Sequence, residues 1–189
     1  MIGWLGAVIA RWVAPLWADR GRRRRLVSRT VAVAGLFAAL GATLAMPPRP
    51  RLLWNASASA PVGLYAVGGR GDLAVGDMVI ARVPARWRAF AARRHYIPAN
   101  VPLVKRVAAL PGARVCAWQS WLWIDGRRVA ARRLLDGAGR AMPRWSGCVT
   151  LRARTLLLLI DDPRSFDGRY FGVSGEKDVV GRAVMLWAR

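Results

Sequence analysis

The sequence predicts a mostly β domain carried behind one amino-terminal transmembrane helix. Short β-type runs separated by Gly, Pro and Asp-Gly turns recur from Gly63 to Trp187, as in an antiparallel β protein. Ahead of them, Thr30–Met46 holds no charged residue and is closed by Pro47-Pro48, which cannot continue a helix.

Taken in chain order, the amino-terminal third is a membrane address. The seventeen residues of Thr30–Met46 make a helix of about 25 Å, at the short edge of spanning length. Leu26 and Val27 add a turn if Arg29 snorkels to the headgroups. Arg22–Arg25 lies just before the apolar run, which keeps the amino terminus cytoplasmic and puts everything after Pro47 outside, in the periplasm of a two-membrane cell. Met1–Trp17 is apolar but interrupted by Arg11 and Pro15, so it reads as an interfacial helix rather than a second span. The expected division is a basic segment 1–29, an anchor 30–46 and an exported domain 47–189. A cleavable signal peptide shares this layout, but the long core and the only fair cleavage site near Ala45 favour a retained anchor. The loose twin-arginine match at Arg23-Arg24 sits in a four-arginine run and carries little weight.

In the exported part the strands expected are Gly63–Val67, Asp77–Val83, Leu103–Leu110, Arg114–Trp118, Trp121–Ile124, Arg127–Ala131, Cys148–Leu151, Leu156–Ile160 and Val179–Trp187. One helix is expected over Pro84–Arg94, opened by proline and rich in alanine and arginine. Arg132–Pro143 reads as a loop.

A chain of 189 residues suits one domain with an appendage. The formal charge of +21 is compatible with nucleic acid, an anionic membrane or an arginine-rich composition. Outside Arg22–Arg25 the basic residues are scattered, with no zinc-finger spacing, ribonucleoprotein motif or helix-turn-helix, so no nucleic-acid partner is expected. One histidine and no carboxylate cluster beyond Asp161-Asp162 point away from a metal site, and no cofactor is expected. Cys116 and Cys148 lack CxxC spacing; outside the cytoplasm they favour a disulfide over two unrelated buried thiols.

Chemistry concentrates in two places. Only two of the thirty-one basic residues are lysines, and Lys105 lies inside the apolar run Val101–Gly112. Arginine stays charged, whereas a lysine buried among Val101, Leu103, Val104 and Val107 can lose its proton and act as a base. A nearby Arg106 would push the same way. Upstream, Asn55-Ala-Ser57-Ala-Ser59-Ala-Pro61-Val-Gly63 offers Ser59 as a nucleophile between small neighbours, ahead of a turn. On an extended backbone Ser57 points to the same side, where its hydroxyl can meet an oxyanion. A small-residue linker and a snorkelling strand lysine are the plain alternatives. His95 stands beside Arg93 and Arg94, which oppose the imidazolium a serine–histidine–aspartate triad needs.

Three separated blocks agree with one family. Asn55–Tyr65, Pro102–Gly112 and Asp161–Gly172, with Gly76-Asp77-Met-Val between the first two, resemble the TraF-type conjugative transfer peptidases, a branch of the type I signal peptidases. The resemblance covers roughly Pro47–Trp187. It implies that Ser59 is the nucleophile, Lys105 the general base and Ser57 the oxyanion-hole hydroxyl. It also implies that Ser165 orients the lysine and that Asp167 and Arg169 brace the site. Gly168 and Ala113 depart from the family, which often has serine and aspartate there.

The resemblance further implies a signal-peptidase-like complex β-barrel, anchored in the bacterial inner membrane as a single-pass protein. The implied reaction is removal of a leader after small residues, on a precursor pilin or other exported protein of a conjugative or type IV secretion system. Cyclisation of the pilin is the variant outcome. Ser59 follows Met46 by thirteen residues, at most about 43 Å of chain, close enough to work at the membrane surface. The rivals are a LexA-like self-cleaving repressor, which would need a DNA-binding domain where this chain has an apolar segment, and a non-catalytic pilus or secretion assembly component.

Overall fold

The computed structural model describes residues 3–45 and 50–189, with side chains from residue 21 onward. Two compact units divide the chain, Met1–Arg49 and Pro50–Arg189. The first contains a single helix α1, Gly3–Ala45. The separate interfacial and anchoring helices expected from the sequence are therefore one element, continuous through Pro15 and the arginine block. Arginine is a good helix former, so the charge run interrupts hydropathy without interrupting backbone hydrogen bonding. Within α1, Gly21–Ala45 is long and apolar enough to cross a membrane. The expected anchor end at Met46 and the Pro47-Pro48 exit lie outside the described residues.

The second unit is mostly β. Its elements are β1 Leu52–Asn55, β2 Gly63–Val67, β3 Met78–Ala81, α2 Ala85–Arg93, β4 Leu103–Ala109, β5 Arg114–Trp118, β6 Trp121–Ile124, β7 Arg127–Ala131, β8 Gly147–Thr150, β9 Thr155–Leu159, α3 Gly168–Phe171, β10 Ser174–Gly175 and β11 Val179–Ala188. A seven-stranded sheet runs β1-β2-β11-β3-β4-β9-β10 and a four-stranded sheet β7-β6-β5-β8, with every pairing antiparallel. The four-residue α3, the edge strand β1 and the two-residue β10 are not foreshadowed by the sequence pattern.

Alternation places the core. In β4, Val107 and Ala109 are buried while Arg106 is exposed, as successive side chains must leave opposite faces. Val115, Ala117 and Leu122 of the small sheet pack with Leu157 and Leu159 of β9, which joins the two sheets by apolar burial. A second cluster sits under α2, where Ala91 meets Phe166, Tyr170 and Phe171. Gly63 lets β2 approach β11 closely, because a Cβ there would collide with the Trp187 carbonyl. Cys116 and Cys148 are cross-strand partners on β5 and β8 and form a disulfide.

Candidate active site

The loop between β1 and β2 carries Ser57 and Ser59 and is held from beneath by Asn55. That side chain is buried, and its Nδ2 donates to the carbonyls of Ser57 (2.9 Å), Ala60 (3.1 Å) and Pro61 (3.0 Å). Its Oδ1 accepts from the Ser57 N–H at 3.2 Å. Tyr65 adds a bond from its hydroxyl to the Pro61 carbonyl at 2.8 Å, and Ala60 is buried in the core. The chain turns at Ala58-Ser59, so the two serine hydroxyls meet through a turn, 3.0 Å apart. This corrects the extended backbone expected there. The sequence motif contains Asn55 without marking it as a brace; its position just before a Ser-x-Ser turn is the one signal that could have done so.

Lys105 comes from the middle of β4 and is 1% exposed. Its Nζ donates to the hydroxyl of buried Ser165 at 2.6 Å. Burial lowers the Lys105 pKa to about 8, with Asp167 opposing the shift, Arg169 adding to it and Asp162 opposing it. The like charge that acts on Lys105 is Arg169 and not its sequence neighbour Arg106. Arg106 leaves the opposite face of β4 and donates to the Gly76 carbonyl at 2.9 Å. Val101, expected to help bury the lysine, is itself exposed.

Asp167 and Arg169 form a buried pair at 2.9 Å. Asp167 caps α3 through the Arg169 N–H and also accepts from the Ile160 N–H. Arg169 reaches the carbonyls of Asp162 and Ile160, so it ties the loop 160–165 that carries Ser165. Burial raises the Asp167 pKa against the pull of Arg169, Lys105 and the N–H donors.

Ser57, Ser59, Lys105 and Ser165 line one cleft of about 410 Å³. Lys105 and Ser59 share it without a direct hydrogen bond, an arrangement common before substrate tightens a site. Asp167 and Arg169 stand outside this cleft; Arg169 borders a different groove of about 420 Å³. His95 is exposed beyond the end of α2 and takes no part. Tyr96, Arg133 and Asp136 also contribute to the cleft wall, which no sequence motif announces. Gly168 has a local cause: a Cβ there would lie 2.7 Å from the Leu158 carbonyl oxygen and 2.8 Å from Leu157 Cδ1. Serine does not fit that spot without movement. Ala113 packs against the apolar cluster joining the two sheets.

A serine on a braced turn and a buried lysine in one cleft suit serine–lysine acyl chemistry, and comparison with known proteins identifies the class. Residues 23–188 match the model of the signal peptidase family, peptidase S26, and the chain belongs to that family. Its relatives include the conjugal transfer protein TraF of Agrobacterium fabrum, 32% identical over 85% of this chain and 94% of that protein. TraF of Agrobacterium tumefaciens is 35% identical over 62% of this chain and 72% of its own length. The plasmid transfer protein TraF of Escherichia coli is 33% identical over 45% of this chain and 51% of that protein. Among solved structures, a signal peptidase I from Enterococcus faecalis aligns with a TM-score of 0.36 at 21% identity, over 60% of this chain and 98% of that one.

Proposed function

We propose that the protein is a membrane-anchored serine endopeptidase that removes the leader of an exported precursor, with the pilin of a conjugative transfer system as substrate. The observation that carries this reading is Lys105: a lysine whose burial lowers its pKa to about 8, in the same cleft as Ser59. Near neutral pH a useful fraction of that amine is unprotonated, which an exposed lysine cannot match.

Neutral Lys105 Nζ takes the proton of Ser59 Oγ, and Oγ attacks the scissile carbonyl carbon. The Ser59 N–H and the Ser57 hydroxyl, rotated off Ser59 Oγ, donate to the oxyanion. Collapse of the intermediate breaks the C–N bond, and Lys105 returns the proton to the leaving amine. The ester on Ser59 is then cut by water, or by the pilin's own amino terminus to close a ring. Ser165 holds the lysine amine in line. Asp167 and Arg169 act at one remove, by fixing the loop that carries Ser165.

The charge-free residues 30–45 of a helical segment long and apolar enough to cross a membrane support anchoring, and Arg22–Arg25 supports a cytoplasmic amino terminus with the β unit in the periplasm. Exposed Trp54 and Trp187, whose rings are 5.7 Å apart, lie on strands next to the serine turn and suit a lipid interface. The test is processing of the precursor pilin by membrane-inserted Ser59→Ala and Lys105→Ala. Both are expected to leave it uncut, and normal processing by either would refute the assignment. A mature pilin lighter by one water reports cyclisation.

A further inference from the structure

The wall of the cleft formed by residues 132–143 is a built structure, although it contains no regular strand. Leu135 and Ala141 pair as an isolated bridge. Asp136 closes the hairpin from inside, accepting from the N–H groups of Ala138 and Arg140, both at 2.9 Å. It also accepts from Arg140 Nε at 2.8 Å and the Tyr96 hydroxyl at 2.6 Å. Arg94 ties the far side through the Ala141 carbonyl at 2.7 Å. At the near end, buried Arg132 donates to the carbonyls of Trp145 (2.7 Å) and Gln119 (2.5 Å). The N–H of Arg133 donates to the Tyr170 hydroxyl at 3.0 Å. The backbone of Arg133 is thus fixed, and the residue lines the cleft that holds Ser59.

Each charged side chain lining this cleft has a hydrogen-bond partner, with one exception. Asp136 is consumed by Tyr96, Arg140 and Arg94. Asp162 is consumed by the guanidinium and N–H of Arg164. Lys105 is bonded to Ser165 and is neutral in the form that reacts. Arg133 is exposed, and its guanidinium has no hydrogen bond or ion pair among the described residues. One unpaired, always-charged residue therefore borders the space a substrate chain must enter.

We propose that Arg133 is a specificity-determining residue whose guanidinium binds an acidic side chain of the substrate close to the scissile bond. The planar fork of arginine matches a carboxylate in two parallel hydrogen bonds, and the braced hairpin fixes the backbone from which the fork extends. An endopeptidase substrate continues on both sides of the cut, so the carboxylate is a Glu or Asp side chain rather than a chain terminus. This rests on the cleft being the peptidase site proposed above, and it adds a charge preference to the small-residue preference that the resemblance implies.

The test uses the full-length protein in a neutral detergent. Dansyl-labelled peptides carry Ala-x-Ala ahead of the cut and a single Glu, Gln or Lys at each of the positions flanking it. Binding is measured on the Ser59→Ala protein, so that the result does not depend on turnover, and kcat and KM are measured on the parent. At one position at least, the Glu peptide should bind about tenfold more tightly than the Lys peptide, since an attraction is replaced by a repulsion at a partly solvated site. Adding Arg133→Ala should bring that ratio close to one, Arg133→Lys should keep part of it, and Arg133→Glu should reverse it. Arg128→Ala removes an equal charge from β7, where Arg128 lies over the Trp121 ring, and should leave the ratio intact. The proposal is overturned if no position discriminates, if discrimination survives Arg133→Ala, or if Arg128→Ala erases it equally. Charge-selective binding by Ser59→Ala with no cleavage by the parent would leave the Arg133 site standing while the peptidase reading fell.

Discussion

Asn55 grips Ser57 from both sides, accepting from its N–H at 3.2 Å and donating to its carbonyl at 2.9 Å. The same amide nitrogen spans the turn to Ala60 and Pro61, so one buried side chain sets the path of the backbone that carries Ser59. Asn55→Ala removes the donor and leaves the Ser57 and Ala60 carbonyls without it, while Pro61 keeps Tyr65, at a cost of about 1–3 kcal/mol in stability. Because ångström-scale displacement of a nucleophile is expensive, precursor cleavage should fall by roughly 100-fold in protein that is still folded. Thermal unfolding and cleavage measured on the same sample check this; activity falling only in step with unfolded protein would speak against a positioning role.

Activity should rise with pH through about 8, the Lys105 value, because the base works only when neutral. Stability should carry the same signature. The folded-state pKa lies below the ordinary 10.5, so the unfolded chain binds more protons between about pH 8 and 10.5 and stability rises with pH across that window. Below about 8 the buried ammonium carries its full penalty, on the order of 3 kcal/mol. Lys105→Met should therefore be inactive yet more stable at pH 7, and the difference from the parent should shrink toward pH 10. Denaturant melts of both proteins at several pH values measure it.

Breaking the buried Asp167–Arg169 pair strands a charge. Asp167→Asn or Arg169→Met should cost about 3–5 kcal/mol, because the remaining partner has no water to turn to. In the folded fraction kcat should fall more than KM rises, since the loop carrying Ser165 and not the substrate cleft is released. Chemical denaturation together with steady-state kinetics separates the two effects.

Gly168→Ser, which restores the residue often found at this position in the family, should harm this protein. The added Cβ meets the Leu158 carbonyl and the Leu157 side chain, an overpacking worth about 1–3 kcal/mol. Thermal melts report it. Pairing it with Leu157→Ala should recover part of the loss if the side-chain contact dominates.

What could be read from residues alone is what is local. β2, β5, β6 and β7 have the expected bounds because short β-type runs meet strong turn residues at each end. Lys105 stands out because its apolar neighbours are adjacent in sequence. The order of residues 132–143 escapes for the opposite reason. Their hydrogen bonds join Asp136 to Tyr96 and Arg132 to Gln119, partners that no periodicity brings together. The same limit explains Arg106: sequence adjacency in a strand means opposite faces, and the charge that matters arrives from Arg169. The amino-terminal helix looks divided in the sequence because hydropathy breaks at the arginines whereas helical backbone does not.

One strand decides when this site can exist. β2, which follows the serine turn, and β3, which leads to the lysine strand, are not paired; β11 lies between them and pairs with both. β11 is Val179–Ala188, and it follows both of them in the chain. A chain without β11 in place has both halves of the cleft and no strand pairing to register one against the other. This ten-residue strand thus acts as a clasp, and whatever chemistry the cleft performs must wait until β11 has paired with both of its neighbours.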